Sequence, residues 1–258
     1  AFAIWSTKVR YLGVGTMLIG GVWTLFSLRN SLLSGVRSGI AAARKSASHV
    51  VAETERDLPM KWMLIALLVF VIPLALLYHA IVAADVTVAH PWAIGLLMTV
   101  IMIVAGFLFV SVSAYLAGLV GSSNNPVSGI TIATILFASG VLVLLLGRDS
   151  SIGAVAAIMI GAVVCCAAAV GGDNLQDLKT GQLVGATPWK QQVALLIGVG
   201  AGSAVVPPVL ELLNRANGFA GAPNLQAISD IPFAAPAATV ISTLAKGVIG
   251  NDLPWNLV

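Results

Sequence analysis

The chain has 258 residues, 59% of them hydrophobic and only 9% charged, with a formal net charge of +3 and a mean hydropathy of +1.00. Ordinary globular domains carry about 25% charged residues, so a soluble fold of this size is excluded and most of the surface must face lipid. The composition predicts an all-α polytopic integral membrane protein in a lipid bilayer; its basic balance fits the excess of Lys and Arg on the cytoplasmic side of such proteins rather than a nucleic-acid partner.

In chain order, charge-free windows predict the spans. Tyr11–Leu28 is a Gly-rich first span of marginal length. Residues 29–61 follow with Arg29, Arg37, Arg44, Lys45, Arg56 and Lys61, and with Leu32, Val36, Ile40, Ala43, Ala47 and Val50 spaced three or four apart. This spacing predicts a basic amphipathic cytoplasmic segment, lying in the interface against anionic lipid or packed on the protein's own cytoplasmic face. His49 reads as a solvated residue of that helix. Trp62–Ala84 is the second and strongest span, with Pro73 near its middle.

Val86 to Gly147 holds no Asp, Glu, Lys or Arg, enough for two spans, Trp92–Leu119 and Val127–Leu146. Ser150–Gly172 is a fifth span. Its adjacent Cys165 and Cys166 point in different directions on a helix and read as packing residues, not as a disulfide or metal framework. Gln191–Leu210 is a sixth span, broken by Pro207-Pro208. Ile231–Ala245 falls short of the roughly 20 residues a span needs and reads as a short, re-entrant or broken segment.

Placing the basic segment in the cytoplasm and alternating puts Ser122–Pro126 and Asp173–Lys190 inside. Asp85–Pro91, Arg148–Asp149 and Asn214–Asp230 then fall outside, with Lys8 and Arg10 as the exception to the charge rule. The chain begins at Ala1 and ends in "LPWNLV", and is expected to be an internal portion of a longer polypeptide.

Two polar constellations stand out. "GLVGSSNNPVSG", Gly118–Gly129, carries small polar residues and a proline but no charge between two spans. An uncharged loop of this kind is predicted to dip into the protein at membrane depth, where irregular backbone is tolerated only if it is buried or lines a cavity. Two readings are open: a substrate or gate element beside a helix N-terminus, or a tight turn of a helical hairpin. "GGDNLQDLKTGQLVGATPWKQQ", Gly171–Gln192, places Asp173 and Asp177 four residues apart, able to share a helical face. Carboxylates beside a cavity can carry protons. The alternative is a solvated cytoplasmic loop with an Asp177–Lys179 pair.

Elsewhere, Pro73, Pro207 and Pro208 are predicted to bend their helices. Glu211 is either a snorkelling residue or a proton-sensing carboxylate at the outer mouth. His79 beside Tyr78 is a proton relay or an interfacial anchor. There is no metal-ligand spacing, no phosphate-binding glycine motif and no nucleophile–base constellation, so neither an enzyme nor a resident metal or cofactor is expected.

"YLAGLVGSSNNPVSGITIATIL", followed some forty residues on by "GGDNLQDLKTGQLVGATPWKQQ", closely resembles the oligopeptide transporter (OPT) family, which includes the yellow-stripe-like metal-chelate transporters. Bacterial members look most similar, and the plant and fungal peptide-transporter signatures are not evident. The resemblance covers the whole chain, making residues 1–258 one transmembrane domain within a larger transporter. It implies proton-coupled symport of small peptides, or of peptide-like metal chelates, across the bacterial inner membrane. The motif residues carried over are Ser122, Ser123, Asn124, Asn125 and Pro126, and Asp173, Asn174, Gln176, Asp177, Lys179 and Gln182. On this reading Asn124 and Asn125 hold the solute or line its gate, and Asp173 and Asp177 link protonation to gating. A passive channel or a non-transporting membrane scaffold is the alternative, and a homo-oligomer is left open.

Overall fold

The computed structural model describes residues 8–44, 52–84, 88, 90–147, 151–219, 233 and 236–250. The described elements are helices: α1 (Arg10–Arg44), α2 (Met60–Ala83), α3 (Pro91–Val120), α4 (Val127–Leu146), α5 (Ser151–Val184), α6 (Pro188–Asn217) and α7 (Pro236–Ile249), with 3₁₀ turns at Glu53–Glu55 and Ser122–Asn124. Among the described residues there is no strand, only an isolated bridge between Phe219 and Phe233. The all-α polytopic expectation holds.

Among the described residues five helices, α2 to α6, are long and apolar enough to cross a membrane. The expected first span, Tyr11–Leu28, lies within α1. The apolar run Tyr11–Leu28 is not a separate element, because α1 continues without a break past Leu28 through Arg29 and Arg37 to Arg44. Nothing in "SLRNSLLSG" breaks a helix, so the first span and the start of the basic segment share one rod. Arg44, Leu32, Val36, Ile40 and Ala43 lie in α1 but outside the described side chains, and Lys45, Ala47, His49 and Val50 lie outside the described residues. So do Asp85, Arg148–Asp149, most of Asn214–Asp230 and the terminal "LPWNLV".

The fifth helix also runs further than predicted. It does not stop at Gly172 but carries Asp173, Asn174, Gln176, Asp177, Lys179 and Gln182 as helix to Val184. Leaving the hydrocarbon does not end a helix whose polar residues still support it. Gly185 ends it at φ +76°, a left-handed conformation that glycine adopts at no steric cost. The Ala186 N–H then closes back on the Gly181 carbonyl at 2.8 Å, the six-to-one bond of a Schellman cap. The short segment predicted at Ile231–Ala245 is the 14-residue α7, too short to span. It packs Leu244, Ala245, Val248 and Ile249 into the bundle.

The core is built around α5. Towards the Ala83 end of α2, Tyr78 and Val82 meet Met98, Ile101 and Met102 of α3, Ala138 and Leu142 of α4, and Ile152, Ala156 and Ile160 of α5. Towards the other end, Ala105 and Phe109 of α3 meet Ile130 and Ala133 of α4 and Val164 and Ala168 of α5. Val14 of α1 joins Ile132, Leu244 and Val248. Glycines set the approach distances, as expected where lipid offers no hydrophobic drive and packing must come from close contact. A Cβ on Gly161 of α5 would run into the Ile135 side chain of α4, and one on Gly95 of α3 would sit 2.9 Å from the His79 backbone of α2. Buried Thr99 and Thr134 turn their hydroxyls to the carbonyls of Gly95 and Ile130, each at 2.8 Å, and so expose no unpaired polarity. In contrast, α6 buries none of its residues in the described chain.

Candidate functional site

The loop ends of α3, α5 and α6 gather at one end of the bundle. Gly121 terminates α3 at φ +84° and ψ 159°, a region essentially reserved for glycine. This turns the chain into Ser122–Asn124. The Asn124 and Asn125 N–H groups bond back to the Gly121 and Ser122 carbonyls at 3.2 and 3.1 Å, and Pro126 leads into the first turn of α4.

The loop is tied down along one face of α5, at residues four apart. The Ser122 N–H donates to Gln176 Oε1 at 2.9 Å. Asn125 Nδ2 donates to the Ala168 carbonyl at 3.3 Å. Gly172 lies between these two contacts, and a Cβ there would run into the Asn125 amide. Ser113 of α3, fully buried, has its Oγ 2.7 Å from Asn125 Oδ1 and 2.8 Å from the Ala168 carbonyl; its one proton serves either acceptor. The Asn125 amide is therefore committed to protein partners on both its oxygen and its nitrogen. Asn124 Nδ2 reaches only the carbonyl of Val120, at 3.3 Å, and with Ser123 it stays exposed.

Asp173 and Asp177 lie on α5 beside the 168/172/176 face. Both are exposed, and neither enters an ion pair among the described residues. The expected Asp177–Lys179 pair does not form; Lys179 Nζ donates to Gln182 Oε1 at 2.9 Å. Thr180 Oγ1 donates to the Gln176 carbonyl at 2.9 Å, holding that turn together. Asn174 is half-buried. Beyond Gly185 the chain re-enters a helix at Pro188, whose missing N–H costs nothing at a helix start. The side chain of Gln191 lies over Gly181, where any Cβ would meet it. Gln192 Nε2 donates to Asp57 Oδ1 at 2.8 Å, and the Trp189 N–H donates to the Arg56 carbonyl at 3.3 Å. The approach to α2 is thereby latched to the start of α6, at the end of the bundle where α5 and α6 join.

The structure thus brings Ser122, Asn125 and Gln176 together and leaves Ser123, Asn124, Asp173, Asp177, Lys179 and Gln182 on the open side. Two partners were not singled out from sequence, Ser113 and Gly172. Ser113 had a readable signal, a hydroxyl two i,i+4 steps before Gly121 on an otherwise apolar face; Gly172 had none beyond its size. Within the loop Ser122 and Asn125 are half-buried against α5, and Ser123 and Asn124 are exposed. Among the remaining predicted residues, Pro73 lies within α2, and Pro207 and Pro208 lie within α6. Glu211 Oε1 accepts from Arg215 Nε at 2.8 Å, one helical turn on. His79 stacks on Trp92, 3.6 Å between ring centroids and 14° between planes, which fits an anchor between α2 and α3. Among the described residues no group of three or more His, Cys, Asp or Glu is placed to hold a metal ion, and Cys165 and Cys166 are free thiols.

Removing the Ser113 hydroxyl isolates the loop contact from the rest of the bundle. Ser113→Ala leaves Asn125 Oδ1 without its donor, and interhelical hydrogen bonds in membranes are worth on average about 0.6 kcal/mol, up to about 1.7. The expected loss is about 1 kcal/mol, read as a lower unfolding midpoint of the full-length protein in detergent; Ser111→Ala, whose hydroxyl only caps Phe107 of its own helix, should leave the midpoint where it is.

A protein-family comparison matches residues 1–258 to the model described as "OPT oligopeptide transporter protein". A curated protein from Haemophilus influenzae, described as "Putative oligopeptide transporter", is 36% identical over 269 residues, covering 100% of this chain and 42% of that protein. The chain therefore spans less than half the length of this relative. No solved structure matches the chain.

Proposed function

We infer, from the premise that this chain belongs to the oligopeptide transporter family, that it forms part of a carrier moving small peptides across a membrane by symport with protons. The relative's description and the family match support peptides as the solute class, and five apolar spans support a membrane location. The observation that carries the mechanistic part is the docking of Ser122 on Gln176 and of Asn125 against Gly172, each one residue from an exposed carboxylate of α5. A loop held by the same helix turns that present Asp173 and Asp177 responds to any change at those turns.

On this reading Asn125 positions the loop, Ser123 and Asn124 present its open polar side to the solute, and Asp173 and Asp177 couple proton entry to opening. Pro126 starts α4 beneath the loop. Asn174, Gln176, Lys179 and Gln182 shape the gate around the carboxylates. Pro73, Pro207 and Pro208 mark the helices that bend as one bundle rocks against another. The end carrying the loops faces the cytoplasm, on the side where residues 29–61 place their positive charge, and the membrane is the bacterial inner membrane.

The test is uptake of a labelled small-peptide mixture into proteoliposomes of the full-length protein, with and without an inward proton gradient. Accumulation that collapses on adding an uncoupler is the expected result. Uptake that ignores the gradient would remove the proton from the mechanism, and no uptake of any peptide would remove the solute assignment.

A further inference from the structure

We propose that the face of α6 carrying Gly200, Ser203, Ala204, Pro207 and Pro208 lines a water-accessible solute path, where the carbonyl oxygens of Ser203 and Ala204 accept hydrogen bonds from peptide N–H groups. The inference rests on the peptide-carrier reading and adds a binding subsite to it.

Its starting point is covalent chemistry. Proline has no N–H. Pro207 removes the helical donor to the Ser203 carbonyl, and Pro208 removes both the next available donor to that carbonyl and the helical donor to the Ala204 carbonyl. The Ser203 hydroxyl does not compensate; it donates to the Gly200 carbonyl at 2.8 Å.

Depth makes these carbonyls expensive to leave in lipid. Pro188–Asn217 has 30 residues, so Ser203 and Ala204 sit at its middle, where a spanning helix meets the centre of the hydrocarbon. A backbone acceptor there has no water, and leaving it unpaired in hydrocarbon carries a large penalty; backbone without internal partners is found at that depth only where it is buried in protein or lines a water-filled cavity. No described helix covers this part of α6, and every residue from Gly200 to Leu213 is exposed.

Side-chain pattern favours the cavity. At 3.6 residues per turn, Gly200, Ser203, Ala204, Pro207, Pro208 and Glu211 share one side of the helix, whereas Val205, Val206 and Val209 fall on the other. The small residues leave the carbonyls uncovered. Towards the end of α6 the same side carries the Glu211–Arg215 pair. The backs of the two prolines and the bare carbonyls suit an extended peptide, whose own N–H groups need acceptors once it leaves water.

The experiment uses the full-length protein in native-like membranes with Cys165→Ala and Cys166→Ala, and single cysteines introduced as Ala204→Cys or Val209→Cys. A membrane-impermeant maleimide should label the first and not the second, and a mixture of di-, tri- and tetra-alanine should slow labelling of the first. Equal labelling, or none at Ala204→Cys, overturns the proposal. In a second arm, Pro207→Ala with Pro208→Ala returns both N–H donors and favours the helix, so the protein should still fold. The half-saturating peptide concentration should rise about fivefold for each acceptor lost; an unchanged value overturns the carbonyl subsite. The labelling contrast reads water at this face without any transport, so failure of the carrier reading shows as absent wild-type uptake with the contrast intact, and failure of this inference as a lost contrast.

Discussion

Neutralising both carboxylates of α5, Asp173→Asn with Asp177→Asn, is expected to abolish proton-driven accumulation while leaving the protein folded. Both side chains are exposed and outside any ion pair among the described residues. Surface substitutions of this kind usually change stability by less than about 0.5 kcal/mol, so a transport defect cannot be attributed to unfolding. If the pair links protons to the solute, the coupling free energy at stake is about 1–3 kcal/mol, a factor of about 5–150. That factor should vanish from uptake measured with an inward proton gradient. Exchange of labelled for unlabelled peptide at equal pH on both sides should persist, because it needs solute binding and gate movement but no net proton flow. Accumulation that survives in the double variant would place the coupling elsewhere in the protein. Loss of exchange along with accumulation would make the carboxylates part of the gate rather than of the coupling.

Replacing Gly95 by leucine should cost the most stability of any single change considered. A Cβ at this position would lie 2.9 Å from both the backbone nitrogen and the Cα of His79. Backbone atoms cannot rotate away as the end of a side chain can, so α2 and α3 must move apart. That separation breaks the stacking of His79 on Trp92 and opens the cluster in which Tyr78 and Val82 meet Met98 and Met102. Overpacking typically costs about 1–3 kcal/mol and sometimes more, and the upper part of that range is expected because two helices are displaced together. Thermal retention of the monodisperse species on size-exclusion chromatography reads it. Gly106→Ala on the same helix is the control: its added carbon would meet only Val164 Cγ2, at an ordinary 3.8 Å, and the midpoint should hold. A Gly95→Leu protein as stable as the parent would mean that α2 is not seated on α3 as described.

Length and hydropathy carried most of the architecture. The span Val127–Leu146 is the helix α4 residue for residue, and the second and third spans agree with α2 and α3 to within two residues, because a charge-free run bounded by turn residues has few other solutions in lipid. The ends of α1 and α5 were not legible in the same way. Charge marks where a chain leaves the hydrocarbon, but not where its helix stops. Arg29 did not end α1, and Asp173 did not end α5, whose stop is set instead by Gly185. The short α7 falls where a short, re-entrant or broken segment was expected; that it packs into the bundle core depended on neighbours the sequence does not name.

The candidate site divides along the same line. Composition and the two quoted motifs were enough to mark Ser122–Pro126 and Asp173–Gln182 as the polar stretches of an apolar chain, since uncharged amides and paired carboxylates are costly near lipid and rarely placed there without a use. Which residues of the loop face inward was decided by tertiary structure alone. Asn124 and Asn125 are chemically identical neighbours, yet one amide is bound between Ser113 and Ala168 and the other, reaching only the Val120 carbonyl one turn back, stays exposed. The difference arises because α5 offers a glycine at 172 where Asn125 falls, and a hydroxyl on α3 opposite it. Sequence determined that the chain is a bundle of membrane helices with two polar elements, since solvent preference acts on each residue separately. Only the packing of α3 against α5 decided which of those polar groups are partners of the protein and which remain exposed, because a hydrogen bond depends on where two distant parts of the chain come to rest.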